Sequence, residues 1–202
     1  AIFFILSSVL SKILKRASFY RTKGSQRDII QVYANGGIAF LLSVVYFLNN
    51  DPVYIYLFSS CVAAAMSDTW GTEFGKLSRH KPISITSFKS IDHGISGGIT
   101  RIGTLGSLLG SSIIGFSTWM MIPVPTHIIY GIILSGFLSS LFDSILGDML
   151  QGKYKNQNGE IIEVKERDSV LIKGYPWMNN DLVNLLNTTF SAFILYAFIM
   201  LC

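Results

Sequence analysis

The sequence predicts an all-α, polytopic membrane protein with about six transmembrane helices and a polar cavity that faces the cytoplasm. Two observations lead to this prediction. Half of the 202 residues are hydrophobic and 14% are charged, with a mean hydropathy of +0.47, which is too apolar for a soluble domain of this size. Apolar runs also recur along the whole chain, and basic residues cluster between them. We expect residues 1–202 to form a single membrane domain.

Six apolar runs are candidates for membrane spans, against the roughly 20 apolar residues that cross a bilayer. In chain order they are Ile2 to Leu14, Ile29 to Leu48, Val53 to Met66, Ile102 to Ile122, His127 to Phe142 and Leu182 to Cys202. Three of these reach that length and three are shorter. The first run starts without a Met and lacks a signal-peptide cleavage site, which predicts a truncated span.

The basic residues are sorted along the chain. All 16 Lys and Arg fall in three segments, 12–27, 76–101 and 153–173, and the two connections between them hold none. A chain with six spans changes sides at each crossing, so these segments share one face, which the positive-inside rule makes cytoplasmic. A soluble helical protein would not show this asymmetry, and no nucleic-acid partner is needed to explain the basic charge. Cytoplasmic loops are predicted at about 15–28, 68–100 and 148–180.

The segment from 151 to 176 is polar and rich in turn residues. One alternating stretch within it, EIIEVKE at 160–166, is typical of a short hairpin strand. We expect the whole segment to form a mobile loop or lid beside the membrane.

Acidic residues follow the third apolar run directly, in the stretch SDTWGTEFGK at 67–76. An unpaired carboxylate at membrane depth is costly, so Asp68 and Glu73 are candidates for a functional site. Thr69 and Glu73 are four residues apart, and a continuing helix would place them on one face. The alternative is a helix end whose acids pair with nearby basic residues such as Lys76.

A glycine-rich stretch, FKSIDHGISGGITRIG at 88–103, precedes and enters the fourth run. It contains Lys89, Ser90, Gly94, Gly97, Gly98 and Arg101. Such a turn before a helix N-terminus brings backbone N–H groups and the positive end of the helix dipole to a phosphate. The alternative is a simple hinge of the fold. Farther along, Gly103, Gly106 and Gly110 predict close packing between helices.

Two acids lie near the end of the fifth run, in SSLFDSILGDMLQG at 139–152. Asp143 and Asp148 are about 140° apart around an ideal helix, so they share a ligand only if the helix loosens near Gly147. Asp143 is the deeper of the two and the better candidate.

Two amide-rich stripes begin the sixth and second runs. One consists of Asn180, Asn184 and Asn187, and the other of Asp28, Gln31 and Asn35. Polar stripes cannot face lipid, so they face each other or a shared wet cavity. Part of them is expected to join helices and part to bind ligand.

Carboxylates and amides without a His/Cys cluster are ligands that suit Mg²⁺ and not zinc. Mg²⁺ with a phosphate-binding loop and basic residues predicts phosphoryl transfer. A site at this depth fits a substrate with a lipid tail and a phosphate head.

Six stretches together carry a family resemblance: QVYANG (31–36), SDTWGTEFG (67–75), PISITSFKSIDHGISGGIT (82–100), GTLGSLLG (103–110), FDSILGDMLQ (142–151) and NNDLVN (179–184). In order and membrane placement they resemble the integral membrane family called domain of unknown function 92, or the transmembrane protein 19 family, which includes phytyl-phosphate kinases. More distantly, the pattern is similar to CTP-dependent phytol and dolichol kinases and CDP-lipid synthases. The chain departs from the family pattern at Trp70 and at His93 to Ile95.

The resemblance implies a Mg²⁺-dependent kinase that uses CTP, or another nucleoside triphosphate, to convert an isoprenoid monophosphate such as phytyl or geranylgeranyl phosphate into the diphosphate. On this interpretation Asp68 and Asp143 hold Mg²⁺, with Glu73 and Asp148 as further or alternative ligands. Lys76 binds the acceptor phosphate. Lys89, Arg101 and the backbone around Gly97 and Gly98 hold the nucleotide phosphates, and Asn35, Asn180 and Asn184 orient the head groups. The predicted catalytic residues are thus Asp68, Asp143, Lys76 and Lys89, and the further substrate-binding residues are Thr69, Glu73, Ser90 and Gly94.

Two other classes stay open. A cytidylyltransferase would use the same metal and loop but release pyrophosphate. A transporter or flippase of phosphorylated lipids would also need a polar cavity, although the sequence shows no internal repeat.

Overall fold

The computed structural model describes residues 2–17 and 29–202, with side chains described for 2–14 and 29–202. Asp28 and most of the predicted loop 15–28 lie outside this part. In the described residues the chain forms six helices: α1 (Ile2–Ala17), α2 (Ile29–Asn49), α3 (Pro52–Gly75), α4 (Arg101–Met121), α5 (Thr126–Met149) and α6 (Asn180–Leu201). The predicted helical architecture is therefore confirmed.

Helix α3 is the centre of the bundle and packs against each of the other five described helices. It begins at Pro52, and the Asp51 side chain caps it by accepting a hydrogen bond from the Val53 N–H at 2.9 Å. Its middle consists of small residues, and Ala63, Ala64 and Ala65 are almost fully buried. Small side chains let the neighbouring helices approach α3 closely.

The interface between α3 and α4 depends on glycine. A Cβ at Gly106 would lie 2.7 Å from Phe74 Cβ, and one at Gly110 would lie 2.8 Å from the Met66 carbonyl oxygen. A Cβ at Gly103 would lie 2.9 Å from the Gly71 carbonyl oxygen. The prediction that these glycines serve helix packing is confirmed.

Apolar side chains cover the outer surface of the bundle as well as filling its core. Phe47 on α2 and Met120 on α4 are 80% and 81% exposed, which suits contact with lipid. Within the described chain, α2, α5 and α6 are long and apolar enough to cross a membrane, and the run Ile2–Leu14 of α1 is apolar but shorter. Helices α3 and α4 carry many buried Ser and Thr residues, which lower their hydropathy.

Two helices extend beyond their apolar runs. We predicted that the third run ends at Met66 and the fifth at Phe142, whereas α3 continues to Gly75 and α5 to Met149. Each apolar run ends before its helix does, because the polar residues of the last helical turns face other parts of the protein instead of lipid. The acids of both stretches therefore have helical geometry.

The all-α prediction is incomplete, because the long connections contain two small sheets. Strands β1 (Ile83–Ser84) and β2 (Gly98–Ile99) pair antiparallel, with Ser84 opposite Gly98. Strands β3 (Lys153–Lys155), β4 (Ile161–Ile162) and β5 (Val170–Lys173) form a second sheet in the order β4-β3-β5. The hairpin strand expected within 160–166 is confirmed as β4, and the segment 151–176, predicted as a loop or lid, contains all three strands of this sheet. Gln151, Lys153 and Tyr154 are buried there, so the segment packs on the bundle.

Candidate functional site

A cavity of about 960 Å³ opens among the helix ends. It is lined by the C-terminal parts of α3 and α5, the N-terminal parts of α2, α4 and α6, and one side of α1. The connection before α4 closes one wall. This geometry requires the basic connections after α3 and after α5 to lie at the same end of the bundle.

Helix α3 supplies one wall. Asp68, Thr69, Thr72, Glu73 and Lys76 line it, as consecutive turns of a helix allow. Glu73 accepts a hydrogen bond from Lys76 Nζ at 2.7 Å, with both side chains half-buried or more. Asp68, in contrast, makes no ion pair with a described basic residue. The helix-end alternative therefore holds for Glu73 and fails for Asp68.

Helix α5 brings Asp143 to the same cavity, with Ser140 and Ser144 beside it. Asp143 Oδ2 is buried and has no hydrogen-bond partner among the described residues. The carboxylates of Asp143 and Asp68 are close enough for their charges to repel each other. A cation between these two carboxylates would relieve their repulsion and give the unsatisfied oxygen a partner.

The carboxylates of the cavity limit which metal ion could bind there. The described residues contain no group of three or more His, Cys, Asp or Glu that could hold an ion by itself. Mg²⁺ is commonly bound through one or two carboxylates and completes its shell with water and substrate phosphates. Asp68 and Asp143 therefore fit Mg²⁺ held together with a phosphorylated ligand, and they do not fit a closed structural metal site.

The connection before α4 carries the glycine loop, residues 93–100, which lines the cavity throughout. Gly94 and Gly97 adopt φ of 87° and 88°, a conformation that favours glycine. A Cβ at Gly97 would also lie 2.6 Å from Asp148 Cα, and one at Gly98 would lie 2.9 Å from Pro82 Cβ. Packing alone thus requires glycine at positions 97 and 98, and the backbone conformation favours glycine at position 94. Burial lowers the pKa of the His93 imidazole, which favours its neutral form.

Glu163, in the segment after β4, holds the glycine loop from the other side. Its carboxylate accepts hydrogen bonds from the Ser96 N–H at 2.6 Å, the Ser96 hydroxyl at 2.8 Å and the Gln151 amide at 3.0 Å. Lys153 Nζ donates to the Ser96 carbonyl oxygen at 2.8 Å. Burial lowers the pKa of Lys153, and the nearby acids oppose that shift. The second sheet therefore fixes the position of the loop.

Asp148 lies behind the glycine loop and does not line the cavity. Its carboxylate is 4% exposed and accepts hydrogen bonds from the hydroxyls of Ser84 and Thr86. It also pairs with Lys173 at 2.7 Å and with Lys153 at 3.5 Å. Because α5 stays helical to Met149, Asp148 points away from Asp143. We correct the expectation of a metal ligand here: the structure gives Asp148 a full set of protein partners.

Three further candidates are not brought to the cavity. Lys89, Ser90 and Arg101 are exposed and absent from its lining. Arg101 projects outward because α4 turns the opposite face, with Gly103 and Gly106, to α3. Among the described lining residues, Lys76 is the one with a permanent positive charge.

The predicted amides differ in whether they reach the cavity. Asn35, Asn180 and Asn184 line the cavity. The Asn35 side chain also donates to the Gln31 carbonyl oxygen at 3.0 Å. Asn187 is fully buried outside the cavity: its backbone oxygen accepts a hydrogen bond from Ser139 on α5, and its side-chain amide has no hydrogen-bond partner among the described residues.

The sequence profile described as Integral membrane protein DUF92 matches residues 1–192 of the chain. The chain belongs to this family. It is therefore an integral membrane protein, as composition predicts.

The chain is similar in sequence to proteins from archaea and plants. The uncharacterized membrane protein MJ0933 of Methanocaldococcus jannaschii is 32% identical over 75% of the chain and 63% of its own length. Protein PGR of Arabidopsis thaliana is 25% identical over 96% of the chain and 77% of its own length. Protein VTE6, chloroplastic, of the same plant is 25% identical over 82% of the chain and 41% of its own length. The match thus covers less than two thirds of MJ0933 and of VTE6. No solved structure matches the chain significantly.

The DUF92 cavity includes residues that our sequence reasoning missed. Ser140 and Ser144 flank Asp143 on one face of α5, and Thr100, Thr104 and Ser107 recur at i, i+4 and i+7 along the start of α4. Both sets follow helical periodicity, so that signal could have found them. Glu163 has no such signal, because it reaches the loop from a segment that is distant in the sequence.

Proposed function

We propose that this protein is a Mg²⁺-dependent kinase that transfers a phosphoryl group from CTP, or another nucleoside triphosphate, to an isoprenoid monophosphate. The observation that carries the proposal is the unsatisfied Asp143 carboxylate facing Asp68 in a cavity with polar and apolar walls. Membership of a family that includes phytyl-phosphate kinases supports it. The site would lie on the cytoplasmic side of a bundle in which all six helices cross the membrane, since the basic connections lie at its end.

The transfer is a displacement at phosphorus. A phosphate oxygen of the isoprenoid monophosphate attacks the γ-phosphorus of the triphosphate. The bond from that phosphorus to the β–γ bridging oxygen breaks, and the nucleoside diphosphate leaves with the oxygen. The attacking oxygen is already anionic near neutral pH, so no general base is required.

The residues of the cavity would divide this work. Asp68 and Asp143 would hold Mg²⁺, which when bound neutralises charge on the phosphates. Lys76 would pair with the acceptor phosphate, and Glu73 would hold Lys76 in place at 2.7 Å. The glycine loop would bound the triphosphate on the opposite side. Asn180 and Asn184 would orient the head groups by hydrogen bonds from the start of α6.

A direct assay tests the proposal. Protein in lipid nanodiscs would be incubated with Mg²⁺, each labelled nucleoside triphosphate and a panel of prenyl monophosphates. The expected products are a prenyl diphosphate and a nucleoside diphosphate. Release of pyrophosphate with a CDP-lipid would replace the kinase by a cytidylyltransferase. Transfer of the lipid phosphate across the bilayer without nucleotide consumption would replace it by a transporter.

Substitution of Asp68 tests the metal role. Asp68→Asn should lower kcat by about 100-fold or more, because a charge that stabilises the transition state is lost. Asp168→Asn, in an exposed turn outside the cavity, is the matched control and should leave kcat unchanged. Full activity in a folded Asp68→Asn protein would remove Asp68 from the site.

A further inference from the structure

We propose that the part of the cavity between α1, α2 and α3 binds the hydrocarbon tail of the acceptor, and that Gly36 determines which tail lengths fit. The inference rests on the proposed function for the identity of the phosphate head. It adds the place of the tail and a residue that sets specificity.

The polarity of the cavity wall changes along α3. Val62 and Ala65 line it first, and the polar residues from Asp68 to Lys76 follow. The fourteen residue-to-residue steps from Val62 to Lys76 correspond to about 21 Å along a helix. The apolar and polar ends of this one cavity therefore lie at different depths in the bundle.

Helices α1 and α2 extend the apolar end. Phe3 and Phe4 of α1 line the inner end of the same cavity, whereas Ser8, Ser11 and Leu14 line it farther along α1. Phe3 also packs against the buried apolar cluster that includes Met66, which places it at the inner end of the cavity. The arrangement fits one amphiphile, with its phosphate near Asp68 and its hydrocarbon chain beside the phenylalanines.

Two adjacent glycines on α2 make the inference testable. A Cβ at Gly36 or at Gly37 would meet no heavy atom of the described chain within 4 Å, so both positions have room for a side chain. Gly36 lines the cavity and Gly37 does not, because consecutive residues lie about 100° apart around a helix. A leucine at Gly36 would fill part of the tail region, whereas a leucine at Gly37 would project elsewhere.

The experiment compares Gly36→Leu with its control Gly37→Leu in nanodiscs. Binding of geranyl and geranylgeranyl monophosphate would be measured by thermal stabilisation and by titration, with kcat/KM alongside. Gly36→Leu should weaken binding of the geranylgeranyl compound by about tenfold and that of the geranyl compound by less than about twofold, because a filled pocket excludes the longer chain. Gly37→Leu should bind both like the parent protein.

Unselective weakening in Gly36→Leu, or the same selectivity in Gly37→Leu, would overturn the assignment. A second measurement uses the unsubstituted protein, so it does not depend on how the variants fold. A prenyl monophosphate with a photoreactive group at the tail end should label residues 2–14 or 31–36, and labelling confined to the outer lipid-facing surface would contradict the proposal. If the kinase proposal alone is wrong, the result differs: binding still depends on the length of the prenyl chain, but no prenyl monophosphate is phosphorylated.

Discussion

Asp143 and Asp148 lie five residues apart on the same helix and have opposite environments. Asp143 faces the cavity with a buried oxygen that has no hydrogen-bond partner in the described chain, and Asp68 repels it. Asp148 is more deeply buried than Asp143 but accepts hydrogen bonds from two hydroxyls and pairs with two lysines. One carboxylate has an oxygen without a partner in the described chain, and the other has a full set of protein partners.

The comparison separates function from stability. A buried charge without partners lowers stability and persists where it serves a ligand. A buried charge with several partners holds the surrounding segments in place, here the turn at 84–86, the back of the glycine loop and the second sheet. Substitution of Asp143 should therefore lower catalytic activity, and substitution of Asp148 should lower stability.

The largest expected effect is on catalysis at Asp143. Asp143→Asn should lower kcat by about 100-fold or more, because a metal ligand is lost. The melting temperature should stay the same or rise, because the repulsion between two buried carboxylates disappears. Activity assays and thermal unfolding in the same nanodiscs check both parts. A large drop in melting temperature would show that Asp143 is structural, and the comparison would then fail.

The second effect is on stability at Asp148. Asp148→Asn should lower the free energy of unfolding by about 3 kcal/mol, because Lys153 would be left buried near a neutral partner. Thermal unfolding measures the loss. The dependence of rate on Mg²⁺ concentration is the second readout, and it should not shift for the folded fraction. A higher Mg²⁺ requirement at an unchanged melting temperature would restore Asp148 as a metal ligand.

The smallest expected effect is on substrate binding by two lysines. Lys76 lines the cavity and Lys89 is exposed outside it. Lys76→Ala should raise the KM for the prenyl phosphate by about tenfold, since a direct ion pair is lost. Lys89→Ala should change KM for either substrate by less than about twofold at physiological salt, because exposed charges are screened. Equal effects of the two variants would indicate that the segment around Lys89 closes over the bound nucleotide.

Much of the site could be predicted because helical periodicity is local. Thr69 and Glu73 share a face of α3, and Asn180 and Asn184 share a face of α6, as their spacing requires. The exposed positions of Lys89 and Arg101 could not be predicted in this way. Their directions depend on a turn outside regular structure and on which face of α4 packs against α3.

Composition and charge order by themselves determined a helical membrane protein with the basic connections after α3 and α5 at one end, because hydropathy and the sorting of Lys and Arg are properties of the chain alone. The glycine spacing in α4 determined its contact with α3 for the same reason. Only the tertiary structure decided which carboxylate has partners. Asp143 and Asp148 are the same residue type on one helix, and what distinguishes them is the set of groups that other segments place around each: Ser84, Thr86 and Lys173 around Asp148, and open cavity beside Asp143. Those contacts join residues far apart in the chain, so no local pattern carries them.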